Sequence, residues 1–343
     1  MKLWTLWQVL LLFALTSCDV DDERDLCCAE NAMRFEYIYR SGNRFDRYIS
    51  SMQCHLFEED GRYVGLLPSP AGGNLARVSL RSLPPGRYVL TSIGNLRAYG
   101  TPTGAESEGW GNFRLPLNGS NSPDGSNSPD GSNSPNGSDS SDDSNGSDGN
   151  NDSDNANLLR LGNGDPLYWG ICHFTIAEDE KREFVTYMAN VHCRLHVRVE
   201  WERLPPHPDG YNLRLQGVAV GMALHDGRAA ALDPTHLFPV VTGYGEGCTR
   251  VNVPLRQFAL DASLLTLRYA ADAIPCLQVY HNDEPACVPV DLAKVFAVWG
   301  WHPERNPVQD YELSLLIRPD GSVEVNRGIG VGVGDWVDGG SFS

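Results

Sequence analysis

The sequence has few basic residues for its length. Lysine and arginine together number 27, against 44 aspartate and glutamate residues, which gives a formal net charge of −17 over 343 residues. A chain with this charge repels the phosphates of nucleic acids and of anionic membrane surfaces. The composition therefore argues against nucleic acid as a partner, and any membrane attachment has to be covalent or by insertion.

The sequence also lacks the short motifs that identify common enzymes. It contains no G-x-S-x-G elbow, no P-loop, no H-E-x-x-H, no dinucleotide fingerprint and no C-x-x-C pair. His192 and His196 are four residues apart on a predicted strand, about 13 Å, which is too far for one metal ion. We interpret both histidines as solvent-facing. We therefore predict no catalytic residue, no metal site and no cofactor.

The first apolar run is too short to span a bilayer. It extends from Leu3 to Leu15 after a single lysine, which is the length of a signal-peptide core. It ends in Leu15-Thr16-Ser17-Cys18, which resembles a bacterial lipobox, where cleavage precedes a cysteine that receives diacylglycerol on its sulfur. An ordinary secretory signal with a chance cysteine is the alternative interpretation. We predict a signal peptide over residues 1–17 and lipidation at Cys18.

An acidic tether follows Cys18 and is predicted to extend over residues 18–30. It carries Asp19, Asp21, Asp22, Glu23 and Asp25. Two or three acyl chains give stable anchoring, whereas one chain binds only marginally. The acidic stretch also resembles the export signal of surface-exposed lipoproteins, which places the protein on the cell outer membrane, facing outward.

Eight cysteines remain after Cys18. They are Cys27, Cys28, Cys54, Cys172, Cys193, Cys248, Cys276 and Cys287. An even number in an oxidising compartment permits disulfides, although eight cysteines allow 105 pairings. We expect a mixture of disulfides and buried thiols, without a predicted pairing.

A low-complexity segment covers residues 118–157. A Gly-Ser-Asn-Ser-Pro-Asp repeat begins it, and it has eight aspartates and no lysine, arginine or aromatic residue. Such a composition cannot offset the entropy of ordering, so we predict a disordered insertion. Calcium binding is the alternative, but the repeat lacks the fixed ligand spacing of a calcium loop.

The rest of the sequence alternates between apolar and polar residues. In the clearest case, Val191, Cys193, Leu195, Val197, Val199 and Trp201 share one face of a predicted strand. Further strands are predicted at 33–40, 48–57, 63–67, 87–93, 158–161, 171–176, 211–215, 265–269, 311–317 and 323–325, with one helix over 291–298 capped by Asp291. Short alternating strands separated by turn residues are typical of antiparallel β-sandwiches. We predict two domains, over 31–180 and 181–343, with the strands at 158–161 and 171–176 completing the first.

Several segments along the chain form a characteristic set. They are the lipobox cysteine with its acidic leader, Phe35-Glu36-Tyr37, Leu56 to Val64, Leu83-Pro84-Pro85-Gly86-Arg87-Tyr88-Val89-Leu90 with Ile93-Gly94-Asn95, Tyr311 to Leu315, Asp320-Gly321 and Asp335-Trp336. Together these segments resemble the FimB-type family of fimbrial anchor lipoproteins. The resemblance covers most of residues 18–336, apart from the insertion. It implies an all-β fold of two tandem transthyretin-like antiparallel β-sandwich domains. It also implies a protein that anchors or caps a fimbrium at the outer membrane, with pilin subunits as partners.

Two features leave the mode of binding open. The run Gly328-Ile329-Gly330-Val331-Gly332-Val333-Gly334 has a bare glycine face and suits either strand addition to a partner or a terminal edge strand of the second domain. Trp110, Trp169, Trp299 and Trp301 would suit a surface glycan-binding lipoprotein if they were exposed and coplanar. A fimbrial tip or adhesin subunit on the same fold is a further alternative.

Overall fold

The described residues fold almost entirely into β-strands. The computed structural model describes residues 30–39, 42–68, 74–96, 100–117, 119–120, 159–161, 166–203, 205, 207, 209–229, 237–256 and 259–327. The strands are β1 (Ala32–Glu36), β2 (Ile38–Tyr39), β3 (Gly42–Asn43), β4 (Met52–Glu58), β5 (Tyr63–Leu67), β6 (Arg77–Ser79), β7 (Gly86–Gly94), β8 (Arg114–Pro116), β9 (Gly119–Ser120), β10 (Leu159–Leu161), β11 (Tyr168–Ile176), β12 (Glu183–Tyr187), β13 (Ala189–Asn190), β14 (His192–Trp201), β15 (Tyr211–Val218), β16 (Gly221–Ala229), β17 (Leu237–Thr242), β18 (Gly247–Asn252), β19 (Ala259–Leu267), β20 (Cys276–His281), β21 (Glu284–Pro285), β22 (Val290–Asp291), β23 (Asp310–Ile317) and β24 (Val323–Arg327). The helices in this part of the chain are α1 (Phe45–Tyr48), α2 (Ala105–Glu108) and α3 (Leu292–Trp299), with 3-10 turns at Trp110–Asn112 and Pro303–Arg305.

The strands form five larger sheets and one small hairpin. Sheet I has the order β12-β1-β6, sheet II β13-β11-β7-β4-β5, sheet III β17-β16-β8, sheet IV β21-β20-β15-β18-β10-β9 with β22 also on β20, and sheet V β19-β14-β23-β24, while β2 pairs with β3. Most of these pairs are antiparallel, and the pairs β1–β12, β10–β18 and β14–β23 are parallel. The predicted all-β fold of packed antiparallel sheets is confirmed.

Sheet II is covered on both faces. On one face, Leu56 and Leu90 belong to a buried cluster that includes Phe35 of sheet I. On the other face, Phe57 packs against Phe113, next to β8, with ring centroids 5.2 Å apart. Sheet III therefore stacks on sheet II, although β16 and β17 come from the second half of the chain.

Sheets IV and V form the second sandwich. Leu213 and Leu215 of sheet IV and Leu195, Val197 and Leu313 of sheet V lie in one buried cluster, which continues into the layer between sheets II and III. The predicted alternation of β14 is confirmed, since its residues from Cys193 to Val199 alternate between buried and more exposed positions. The two sandwiches thus share a continuous hydrophobic core.

Four pairings cross the predicted domain boundary between residues 180 and 181. Strand β12 pairs with β1, β13 with β11, β16 with β8, and β18 with β10. The strand predicted at 158–161 forms at Leu159–Leu161, but it pairs with β18 of sheet IV, so its assignment to the first sandwich is wrong. Local alternation predicts a strand but not its neighbour. The division into domains at this boundary stays a prediction.

Of two predicted elements, one strand begins later than predicted and one helix forms as predicted. The predicted strand from Tyr48 begins only at Met52, because the side chain of Asn43 accepts a hydrogen bond from the amide of Phe45 and starts the helical turn α1. The predicted helix forms as α3. The carboxylate of Asp291 accepts hydrogen bonds from the amides of Ala293 and Lys294, as expected of an N-cap.

Candidate functional site: open sheet edges and the sandwich junction

Strand β24 is an open edge of sheet V. It pairs with β23 on one side, and no other described strand pairs with its second side. Val325 lies opposite Leu315 of β23. Leu315 is 0% exposed, whereas Val323 and Val325 are only partly buried at the margin of the core. One more strand at this edge would complete their burial.

The backbone amides of β24 point alternately toward and away from β23. The amide of Arg318 donates to the carbonyl of Ser322 at 2.9 Å, which fixes the start of the ladder. The antiparallel alternation then directs the amides of Glu324 and Asn326 toward β23 and that of Val325 outward. An added strand would therefore meet outward-facing backbone groups at Val323, Val325 and Arg327.

Strand β5 is a second open edge, in sheet II. It pairs with β4, and no other described strand lies on its far side. It has no charged residue, and Val64 and Leu66 are 45% and 55% exposed. Edge strands usually carry charges that discourage association, so an apolar edge of this kind is a possible contact surface.

Arg268 ties the two sandwiches together. Its guanidinium is buried and donates to the carbonyls of Asn190 in β13 at 3.3 Å, Asn306 at 2.7 Å and Pro307 at 2.8 Å. It also lies 4.2 Å from the ring centroid of Phe238 in β17. Burial lowers the pKa of Arg268 to about 10, so the side chain stays charged at neutral pH. A single cation thus holds segments of sheets II and III and the loop before β23.

The four tryptophans do not form a flat, exposed platform. Trp169 is fully buried, and its indole donates to the carbonyl of Leu224 at 3.1 Å. Trp299 and Trp301 are half-buried, and their rings meet edge to face at 74°. Trp110 is half-buried and packs edge to face against His173 and His225. These rings lack the coplanar, solvent-facing arrangement that stacking on a sugar ring requires.

His192 is buried, so the prediction that it faces solvent is wrong. Its Nδ1 lies 3.1 Å from the amide of Leu167, which donates to it, and its ring packs against Tyr168. Burial lowers the pKa of His192 to about 3, and burial lowers that of His55 to about 4. His196 is half-exposed, and its Nε2 lies 3.6 Å from Asp310. The strand geometry placed His192 on the outer face of sheet V, but sheet II covers that end of β14.

Several of the described cysteines are free thiols. Cys54, Cys193 and Cys287 are buried and Cys172 and Cys276 are half-buried, all as free thiols. Burial raises the pKa of Cys54 to about 12, which keeps that thiol protonated and unreactive. Of the predicted mixture, buried thiols are confirmed for these residues. Cys27 and Cys28 lie outside the described residues.

Several predicted features cannot be placed in this way. The described residues do not include Cys18, residues 19–29 of the acidic tether, the glycine run from 328 to 334, or the insertion segment apart from residues 119–120. Within the described ranges, no three histidine, cysteine, aspartate or glutamate side chains converge as a metal site. None of the helices described is long and apolar enough to cross a membrane.

Sequence reasoning missed both the open edges and the role of Arg268. Whether a strand lies at an edge depends on which strands pair with it, and that information is not local. Arg268 left no signal of its burial, since it alternates with Leu267 and Tyr269 in the predicted strand, where an arginine is usually solvent-facing.

Several solved structures have a similar fold. They include a candidate adhesin from Bacteroides ovatus (TM-score 0.56, 11% identity, 87% of this chain and 93% of that chain) and a candidate polysaccharide-binding protein from Bacteroides thetaiotaomicron (0.54, 11%, 86% and 96%). The fimbrial anchor protein Mfa2 from Porphyromonas gingivalis also matches (0.52, 13%, 86% and 94%). At these identities the likeness shows the fold. A comparison with curated protein sequences found no match.

The family comparison covers nearly the whole chain. The model for the fimbrillin-A associated anchor proteins Mfa1 and Mfa2 matches residues 24–337. This range includes every described sheet and starts within the predicted acidic tether. The chain therefore belongs to the family of fimbrillin-A associated anchor proteins Mfa1 and Mfa2.

Proposed function

We propose that this protein is an outer-membrane lipoprotein that holds one end of a fimbrium to the cell surface. The observation that carries the proposal is the family match over residues 24–337, which leaves residues 19–23 between it and the lipobox pattern Leu15 to Cys18. Family membership makes the chain a fimbria-associated surface protein. Acylation of Cys18 would add the membrane anchor, and the acidic residues after it would hold the folded part away from lipid phosphates.

Strand addition at β24 is the contact we propose for the fimbrial subunit. The outward-facing backbone groups of Val323, Val325 and Arg327 would bond to the backbone of an added strand. Alternate apolar side chains of that strand would cover Val323 and Val325, which the core leaves partly exposed. We therefore expect the partner to supply an extended segment with apolar residues at every second position.

The first experiment tests the lipid anchor. Mature protein from native membranes would be examined by mass spectrometry, beside a Cys18→Ala variant, while fimbrial subunits are followed by co-purification. We expect acyl chains on Cys18, and loss of protein and fimbriae together into the medium for the variant. An unlipidated Cys18 would contradict the anchor. A lipidated protein that co-purifies with no fimbrial subunit would contradict the fimbrial role and favour glycan binding.

A second pair of variants tests the docking edge. Val325→Pro removes an outward amide but leaves the amides that bond to β23, so the protein should fold and lose the fimbrial subunit during co-purification. Leu66→Asp places a charge on the other apolar edge, β5, and should retain the subunit. If only Leu66→Asp loses the fimbrial subunit, the contact lies at β5 rather than β24. If both variants still co-purify with the subunit, strand addition at either edge is contradicted.

The tip-subunit alternative makes a different prediction in the same samples. A tip or adhesin subunit would be found in sheared fimbriae without acyl chains. An anchor would stay with the outer membrane when the fimbriae are sheared off. Comparing the two fractions therefore separates the positions.

A further inference from the structure

We propose that the parallel pair β1–β12 is a mechanical clamp that carries tension from the membrane tether into the folded protein. This inference rests on the proposed anchoring function, because only an anchored end transmits pull from a fibre. The first strand after the predicted tether is β1, which follows Asn31. Force transmitted from Cys18 along that tether would therefore reach the described fold at β1.

The two strands are loaded at opposite ends. β1 and β12 run in the same direction, with Ala32 opposite Glu183 and Glu36 opposite Tyr187. The tether pulls β1 from its Ala32 end. The chain leaves β12 after Tyr187 and continues through β13 into sheets IV and V. A fibre bound at β24 therefore pulls β12 from its far end.

Opposite loading makes the strands slide rather than separate. When two hydrogen-bonded strands are pulled from the same end, their bonds break one after another. When they are pulled from opposite ends, the bonds stretch together, and all must fail before the strands move. Forced unfolding is governed by the unfolding rate, which this shared barrier lowers.

The hydrogen bonds of the clamp extend over its whole length. The amide of Ala32 donates to the carbonyl of Arg182 at 3.1 Å, and the amide of Met188 donates to the carbonyl of Glu36 at 2.7 Å. Between these two bonds, the parallel alternation directs the amide of Thr186 toward β1 and that of Val185 away from it. The ladder therefore covers the five register pairs from end to end.

Side chains add contacts at the Ala32 end of the clamp, where the predicted tether pulls on β1. The Oδ1 of Asn31 accepts a hydrogen bond from the amide of Arg182 at 2.9 Å. Glu183 lies 3.1 Å from the Nε of Arg34 in β1 and 3.1 Å from the Nε of Arg77 in β6, so one carboxylate bridges all three strands of sheet I. Met33 of β1 is 0% exposed, which fixes the strand in the core. These side-chain contacts thus add to the backbone ladder at the Ala32 end of the clamp.

Single-molecule pulling of the full mature chain tests the clamp. The chain would carry Cys18→Ser to avoid lipid and would be held by handles at its two ends. Thr186→Pro removes a ladder amide, and at a given force it should unfold about fivefold faster or more. Val185→Pro, one residue away, removes an amide that points away from β1 and should unfold at the wild-type rate.

Two milder substitutions test the clamp if the Thr186→Pro variant fails to fold. Glu183→Gln removes the bridging carboxylate, whereas Glu59→Gln removes a surface pair with Arg87 outside the clamp. We expect faster unfolding under force for Glu183→Gln and no change for Glu59→Gln. The clamp would be overturned if Thr186→Pro unfolded under force at the same rate as Val185→Pro. Glu183→Gln would then also have to unfold at the same rate as Glu59→Gln.

The outcome is independent of the test of the proposed function. Pulling uses the isolated chain and needs no fimbria. A clamp that fails here would leave the anchor intact if Cys18→Ala still releases fimbriae. If the clamp resists force but co-purification assigns the protein to another position, the mechanical resistance is a property of the fold and its role in anchoring is contradicted.

Discussion

Arg268 shows how one residue can hold separate parts of this fold together. A buried guanidinium is costly unless its donors are satisfied, and here backbone carbonyls from two parts of the chain accept them. The planar fork suits several carbonyls at once, and its face rests on Phe238. Because these hydrogen bonds offset the cost of desolvating the guanidinium, Arg268 holds sheets II and III and the loop before β23 in one defined arrangement.

Replacing Arg268 should weaken the fold in proportion to the donors lost. Arg268→Met would leave several buried carbonyls without a partner, and we expect the free energy of unfolding to fall by about 3 kcal/mol. Arg268→Lys retains the charge but has fewer hydrogen-bond donors, so its free energy of unfolding should fall by less than that of the methionine variant. Chemical denaturation followed by tryptophan fluorescence measures both. Equal stability of the methionine variant and the wild type would contradict the role of Arg268 as a tie.

At the scale of elements, α3 is short and depends on its ends. Eight residues are too few for a stable isolated helix, so its cap and its packing have to hold it. Leu292 and Phe296 are buried, and Asp291 bonds to the first free amides. The side chain of Lys294, hydrogen-bonded to Asp291, contributes most to lowering the pKa of that carboxyl.

Loss of the cap should destabilise the protein modestly. We expect Asp291→Ala to lower the free energy of unfolding by about 1 kcal/mol, because the amides of Ala293 and Lys294 lose their acceptor. Asp291→Asn keeps an acceptor oxygen and should lose only part of this. Urea denaturation measures the difference. An alanine variant as stable as the asparagine variant would show that the cap is unimportant.

At the scale of the whole molecule, the fold keeps two histidines neutral in its interior. His192 lies in the layer where sheets II and V meet, and His55 packs against Phe113 between sheets II and III. Both have pKa values lowered by burial, to about 3 and about 4. The unfolded chain would bind a proton at each of them near pH 6.5.

Acid should therefore destabilise the protein through these histidines. The lowered pKa values mean that their contribution is complete above about pH 6.5 and is lost as pH falls toward about 4 for His55 and about 3 for His192. Each pH unit in this window costs about 1.4 kcal/mol per histidine. A His55→Gln, His192→Gln double variant should show a smaller slope of unfolding free energy against pH. An unchanged slope would show that other groups dominate.

Local patterns in the sequence were enough to predict many strands and the start of one helix in this protein. Alternation predicted the strands of the two sandwiches, and Asp291 predicted the start of α3, because side-chain period and capping act within a few residues. The family follows from motifs spread along the chain, such as Leu83 to Leu90, and the family match over residues 24–337 confirms it. Lipidation at Cys18 is equally local, and it stays a prediction.

Which strands are neighbours became known from the three-dimensional structure, because strand pairing joins residues that are far apart in the sequence. The pairing of β1 with β12, the assignment of β10 to sheet IV and the burial of His192 depend on residues far away in sequence. A strand presents the same alternation at an edge as in the middle of a sheet, so β24 could not be recognised as open from its residues alone. The proposed docking edge and the proposed clamp follow from pairing, because long-range packing decides which backbone groups are shared and which face outward.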